Sequence, residues 1–153
     1  MSEANQATFQ IEKIYVKDLS LEIPSAPQVF VQAEQPQLEV QINSEAGQFA
    51  EGLFEVVVRI TVTARAGEKT VFLAEAAQAG IFSVKGVPQE DLDPLLGIAC
   101  PTIIYPYVRE TISDLVTRGG FPPVLLSPVS FEAIYAQRQK QEGGSGSRIE
   151  IAG

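Results

Sequence analysis

The chain has no histidine, no tryptophan and a single cysteine, Cys100, among its 153 residues. One thiol closes no intrachain disulfide, and without imidazole or a second thiolate there is no His/Cys metal site. A nucleophilic Cys100 would also lack its usual general base, so most common catalytic machinery is excluded. Positive charge is scarce: 11 Lys and Arg stand against 19 Asp and Glu, a net charge of −8. That balance repels phosphate backbones and anionic lipid, which argues against nucleic acid as a partner. Long hydrophobic runs are missing as well. The longest apolar region, residues 95–108, is shorter than a bilayer span and carries Pro101 and Pro106, so no direct membrane insertion is expected. The first residues, Met1-Ser2-Glu3-Ala4-Asn5-Gln6, have neither a basic leader nor an apolar core, and a cytoplasmic location is the expectation. No internal repeat is present.

What the chain does have is 45% hydrophobic and 20% charged residues, the balance of a soluble globular protein. At this length one domain is expected, burying about 68–70% of its unfolded surface. In residues 9–23 the apolar positions Phe9, Ile11, Tyr15, Leu19, Leu21 and Ile23 share one parity while Ile14 and Val16 take the other. This reads as a long strand with an irregularity near Lys13. Pro24 and Pro27 lack the N–H that a ladder needs, so a loop follows to about Pro36. Residues 38–43 alternate apolar and polar as a second strand, and residues 54–64, apolar at every even position, form the clearest strand of all. Gly67 offers a turn, and residues 70–82 resume a β-rich pattern, predicting a hairpin and a mainly antiparallel sheet. After Gly86 the pattern changes. A short acidic stretch, 89–96, precedes Pro101, a residue tolerated in a helix's first turn. From there Ile104, Tyr107/Val108, Thr111/Ile112 and Leu115/Val116 recur at helical spacing, up to Arg118-Gly119-Gly120, a basic last turn followed by a stop. Residues 122–126 read as an extended crossing. Ser127 or Ser130 then caps a second helix with Phe131, Ile134 and Tyr135 on one face. The expected organisation is a flexible N-terminus (1–7), one domain (8–142) and a flexible, linker-like tail (143–153) containing Gly143-Gly144-Ser145-Gly146-Ser147.

Chemical motifs are weak. Ala66-Gly67-Glu68-Lys69-Thr70 lacks the glycine–lysine adjacency of a phosphate-binding loop and reads as a turn. Glu90, Asp91 and Asp93 do not follow a calcium-loop spacing and suit a helix start, where the macrodipole favours acidic side chains. Glu110 and Asp114 fit a solvated helix face. Cys100 reads as a small buried apolar residue. A binding role rises by elimination.

Three stretches carry a resemblance: Phe9-Gln10-Ile11-Glu12-Lys13-Ile14-Tyr15-Val16-Lys17-Asp18-Leu19-Ser20, Cys100-Pro101-Thr102-Ile103-Ile104-Tyr105-Pro106-Tyr107-Val108-Arg109-Glu110 and Arg118-Gly119-Gly120-Phe121-Pro122-Pro123. With Ser127-Pro128-Val129-Ser130-Phe131, and in order over about residues 8–136, they resemble the SecB protein-export chaperone family. The resemblance implies an α+β fold, a four-stranded antiparallel sheet with a long helix and a shorter C-terminal helix, assembled as a dimer of dimers. It implies an ATP-independent holdase, needing no cofactor, that keeps secretory precursor proteins unfolded and delivers them to the translocation ATPase SecA. It places Asp18, Glu22, Leu73 and Glu75 on an acidic SecA-facing surface, and Ala74, Ala76 and Gln78 among positions that influence self-association as a homotetramer. Odd and even residues of one strand point to opposite faces, so the two sets are compatible. Two departures stand out. The loop at Gln32-Ala33-Glu34-Gln35 has no tryptophan where some relatives carry one, and the tail lacks the acidic character of relatives.

For the client site, an apolar groove between sheet and second helix is expected, formed by Leu38, Val40 and Ile42 with Phe30, Phe131, Ile134 and Tyr135. Unfolded clients share apolar side chains and exposed backbone but no sequence, so their site must be long and tolerant. The competing reading is a small β-rich carrier with an enclosed pocket for an apolar small molecule. An enzyme built on Cys100 or the acidic cluster comes third.

Overall fold

The computed structural model describes residues 6–141 and the two-residue strand Ile151–Ala152. Four long antiparallel strands make the sheet: β1 (Thr8–Glu22), β2 (Gln37–Ala50), β3 (Leu53–Ala66) and β4 (Lys69–Lys85), in the order β1-β4-β3-β2. β5 (Ile151–Ala152) adds a fifth, short member at the free edge of β2. The element order expected from the sequence is thus present, with this addition from the tail; residues 142–150 lie outside the described part.

The alternation of β3 decides the architecture. Val56, Val58, Ile60, Val62 and Ala64 are fully buried on one face, while Glu55, Arg59, Thr61 and Thr63 occupy the other. The turns that fold β2 onto β3 and β3 onto β4 carry Gly52 and Gly67 at φ of 72° and 65°, backbone that a side chain resists.

β1 solves its mixed parity with two register shifts, between Ile11 and Lys13 and between Val16 and Asp18. The skipped residues, Glu12 and Lys17, let Ile11, Ile14, Val16, Leu19 and Leu21 all face the inner side, opposite Phe82, Gly80, Gln78, Ala76 and Ala74. The first irregularity is the one expected near Lys13; the second is additional.

Gly86 ends β4, and the helical path starts earlier than Pro101. α1 (Gln89–Pro94) passes without a break through a π turn, residues 95–99, into α2 (Cys100–Arg118). Pro101 has no N–H for the bond to residue 97, and the wide turn falls just upstream of it. Ile104, Val108, Ile112 and Val116, four apart, are fully buried against β3 and β4. A segment without regular structure, residues 121–130, crosses back, and the Ser130 hydroxyl caps α3 (Phe131–Lys140) by accepting from the Ala133 amide at 3.1 Å. Phe131 and Ile134 are buried in the main core.

Candidate functional site: an apolar groove on the edge strand

Leu38, Val40 and Ile42 stand in register with Ala64, Val62 and Ile60, so all three point to the inner face. Of the four long strands β2 is the farthest from β1, and α2 lies over β3 and β4. The inner face of β2 is therefore left partly uncovered, and the crossing segment runs past it. Together they enclose a groove of about 440 Å³ lined by Leu38, Val40 and Ile42, by Tyr105 of α2 and by residues 123–129. None of these residues is charged.

A hydrogen bond adds to the apolar packing of Val124, Leu126 and Val129 in holding the groove's wall. The Tyr105 hydroxyl donates to the Ser127 carbonyl at 2.5 Å, tying the crossing to α2. Burial raises the Tyr105 pKa and the nearby Arg109 lowers it, the net direction being upward, so the phenol remains a donor at neutral pH. The Arg109 guanidinium lies 5.5 Å from the same ring's centroid. Exposure grades along the groove: Ile42 is 5% and Val124 6% exposed, whereas Leu38 is 45% and Leu125 83% exposed. A row of apolar side chains, buried at one end and open at the other, suits an extended chain better than an enclosed ligand.

Of the seven residues expected here, Leu38, Val40 and Ile42 do line the groove. Phe131 and Ile134 lie in the core, Phe131 edge-on to Tyr105 at 5.9 Å between centroids, and support the wall without lining it. Phe30 belongs to an aromatic stack with Phe121 (5.2 Å), which in turn contacts Phe72 (4.8 Å). Tyr135 faces a different hollow, beside Gly97, and donates to Asp93 at 3.3 Å. Tyr105 and the crossing were not foreseen as lining. The signal was present in the apolar run of residues 124–126 between two prolines and a serine, too short to be a strand and too apolar for an ordinary loop.

On the opposite face of the sheet, Asp18, Glu22, Leu73 and Glu75 do share one surface, as their register opposite Ala77, Leu73, Thr63 and Thr61 requires. Arg59 lies among them, 4.0 Å from Asp18 and 3.9 Å from Glu75, and the Thr61 hydroxyl donates to Glu75 at 3.1 Å. Nearby, Lys17 pairs with Glu55 at 2.8 Å and the Tyr15 hydroxyl donates to the same carboxylate. Burial pushes the Glu55 pKa up, but the hydrogen bonds from Lys17 and Tyr15 outweigh it and the net shift is downward. The Glu55 hydrogen bond, with burial and the carboxylate charge, pushes Tyr15 up to about 12.

Ala74, Ala76 and Gln78 face inward. Both alanines are fully buried, and the Gln78 side chain accepts from the Thr111 hydroxyl of α2 at 2.9 Å. These alanines and the apolar stripe of α2 are buried within the chain; small side chains here set how closely α2 approaches the sheet. Cys100 is also fully buried, and burial pushes its thiol up to about 12, the opposite of an activated nucleophile. Among the described residues no group of three or more His, Cys, Asp or Glu side chains could hold a metal ion, and no helix is long and apolar enough to cross a membrane.

The chain thus presents an open groove without charge on an α+β scaffold. A family model for preprotein translocase subunit SecB matches residues 2–142. The chain is 61% identical over 141 residues to the protein-export protein SecB of Methylobacillus flagellatus, covering 92% of this chain and 89% of that one. It is 56% identical over 142 residues to that of Chromobacterium violaceum, covering 93% and 95%. The chain belongs to the SecB family. Among solved structures, a SecB-like chaperone of Mycobacterium tuberculosis, in complex with a peptide from an antitoxin, shares the fold at a TM-score of 0.65 and 20% identity, covering 79% of this chain and 90% of that one.

Proposed function

We propose that this chain is an ATP-independent holdase that keeps secretory precursor proteins unfolded in the cytoplasm and hands them to SecA. The observation that carries this reading is the groove: apolar, uncharged, open at Leu38 and Leu125, and floored by the inner face of β2. Each client side chain buried there contributes about 1.5–3 kcal/mol before ordering costs, so several weak contacts hold a chain that SecA can still remove without ATP hydrolysis by the chaperone. The acidic outer face with Asp18, Glu22 and Glu75 suits a basic partner, and SecA is the one the family points to. No catalytic role is assigned to any residue.

The same reading includes a dimer of dimers. α2 covers only part of the inner face of β1: Phe9, Ile11, Val16 and Leu19 are exposed there, along a strand whose far edge is unpaired among the described residues. A second copy would cover both. The test is refolding of a denatured secretory precursor with and without the protein, with SecA binding measured in parallel and the particle mass followed by light scattering. Arrest of refolding, SecA binding and a mass near four chains are expected. A protein that neither slows refolding nor binds SecA ends this proposal.

A further inference from the structure

The edge of β2 that borders the groove is already occupied. β5 pairs with it antiparallel, Ile151 opposite Ile42 and Ala152 opposite Gln41. Ile42 also lines the groove, so β5 occupies the backbone edge of the strand that floors it. The connection is short. The Arg138 guanidinium near the end of α3 donates to the Ser44 carbonyl at 3.1 Å, which holds that helix end two residues along β2 from Ile42. Nine residues separate Gln141 from Ile151, and a chain of that length reaches about 30 Å, far more than the step requires. A segment tethered at that chain distance acts at an effective concentration of about millimolar.

We infer that the C-terminal segment around Ile151–Ala152 is an intramolecular competitor: it adds as a strand to the edge of β2 and must leave before a client takes that edge. This rests on the client-holding reading and adds to it a built-in threshold. Pairing over two residues is weak, so the segment yields to a long unfolded chain but screens the apolar edge from short or folded ones. It also blunts an edge strand that would otherwise invite aggregation.

The experiment compares the full chain with a chain ending at Gln141 and with an Ile151→Pro, Ala152→Pro variant, since proline donates no ladder hydrogen bond. The oligomeric state of each is verified first. Two quantities are measured: hydrogen exchange of the β2 amides around Gln41 and Ile42, and the Kd for a reduced, alkylated protein that stays permanently unfolded. Both variants are expected to exchange faster at those amides and to bind the unfolded probe about two- to tenfold more tightly. Unchanged exchange overturns the pairing. Faster exchange with an unchanged Kd overturns the competition. If no form binds the probe, the client-holding reading fails, and the exchange data still decide whether the segment occupies the edge.

Discussion

Leu38 and Leu125 offer the sharpest perturbation of the groove because both line it and both remain exposed, at 45% and 83%. Replacing both with serine removes apolar surface without opening a cavity in the core, which Ile42→Ser, at a residue only 5% exposed, would not avoid. If a client covers what remains exposed, full burial of a leucine at about 1.5–3 kcal/mol scales to about 1 kcal/mol for Leu38 and about 2 kcal/mol for Leu125. A client leaves part of each uncovered, so the expected loss is about 1.5–3 kcal/mol, or about 10- to 150-fold in Kd. The assay is titration of a permanently unfolded protein against wild type and the Leu38→Ser, Leu125→Ser variant, with thermal stability and SecA binding as controls. Stability should change by less than about 0.5 kcal/mol, and SecA binding should not change, because the acidic residues lie on the opposite face of the sheet. A natively assembled variant with wild-type client affinity would refute the argument, since it would mean that the groove contributes no binding surface.

The outer face gives a pair of opposed outcomes. Asp18→Lys with Glu75→Lys should weaken SecA binding at low salt by about tenfold or more, whereas Arg59→Gln, which frees both carboxylates from their shared counter-ion, should strengthen it by about two- to fivefold and steepen its salt dependence; isothermal titration at two ionic strengths reads both, and equal effects of the two changes would count against the patch. Gly120, at φ of 92° and with an added Cβ only 3.0 Å from the Phe30 ring, leads the chain into the crossing; Gly120→Ala should cost about 1–2 kcal/mol in urea unfolding, and a neutral result would show that the turn relaxes freely. Cys100, fully buried and with its thiol pushed up to about 12, should resist maleimide at pH 8 until the protein is unfolded; rapid labelling of the native protein would place it outside the core.

How far the sequence disclosed the fold follows from how each residue is used. β3 was legible because one face is packed and the other wet, which writes period two into Phe54 through Ala64. β1 was legible in outline only, since its two bulges change parity and the change is visible in sequence as a break, not as a count. The second half of β2, Glu45 through Ala50, was not read as strand at all. Its small and polar residues have low strand preference and are held by pairing with β3, a tertiary effect that overrides local preference. Pro101 reads as a helix start because proline is common there, yet the chain is already helical from Gln89, with the π turn accommodating the ring. The groove's floor was legible from alternation in Leu38, Val40 and Ile42. Its wall was not, because Tyr105 reads as one more core position on α2 and the crossing's role depends on where two distant helices set it down. Phe30 and Tyr135 share the apolar character of the site but meet other partners, which composition and periodicity do not reveal. Arg59 is, in sequence, only one polar position of β3; the register that puts it between Asp18 and Glu75 gives it a role.

The most direct test of the central claim is site-specific photo-crosslinking to a denatured secretory precursor, with the photoreactive side chain placed singly at Leu125, at Leu38 and, on the opposite face, at Leu73. The account predicts strong crosslinks from Leu125 and Leu38 that are competed by excess unfolded protein, and none from Leu73. Crosslinks confined to Leu73, or equal at all three positions, would contradict a client site in the groove.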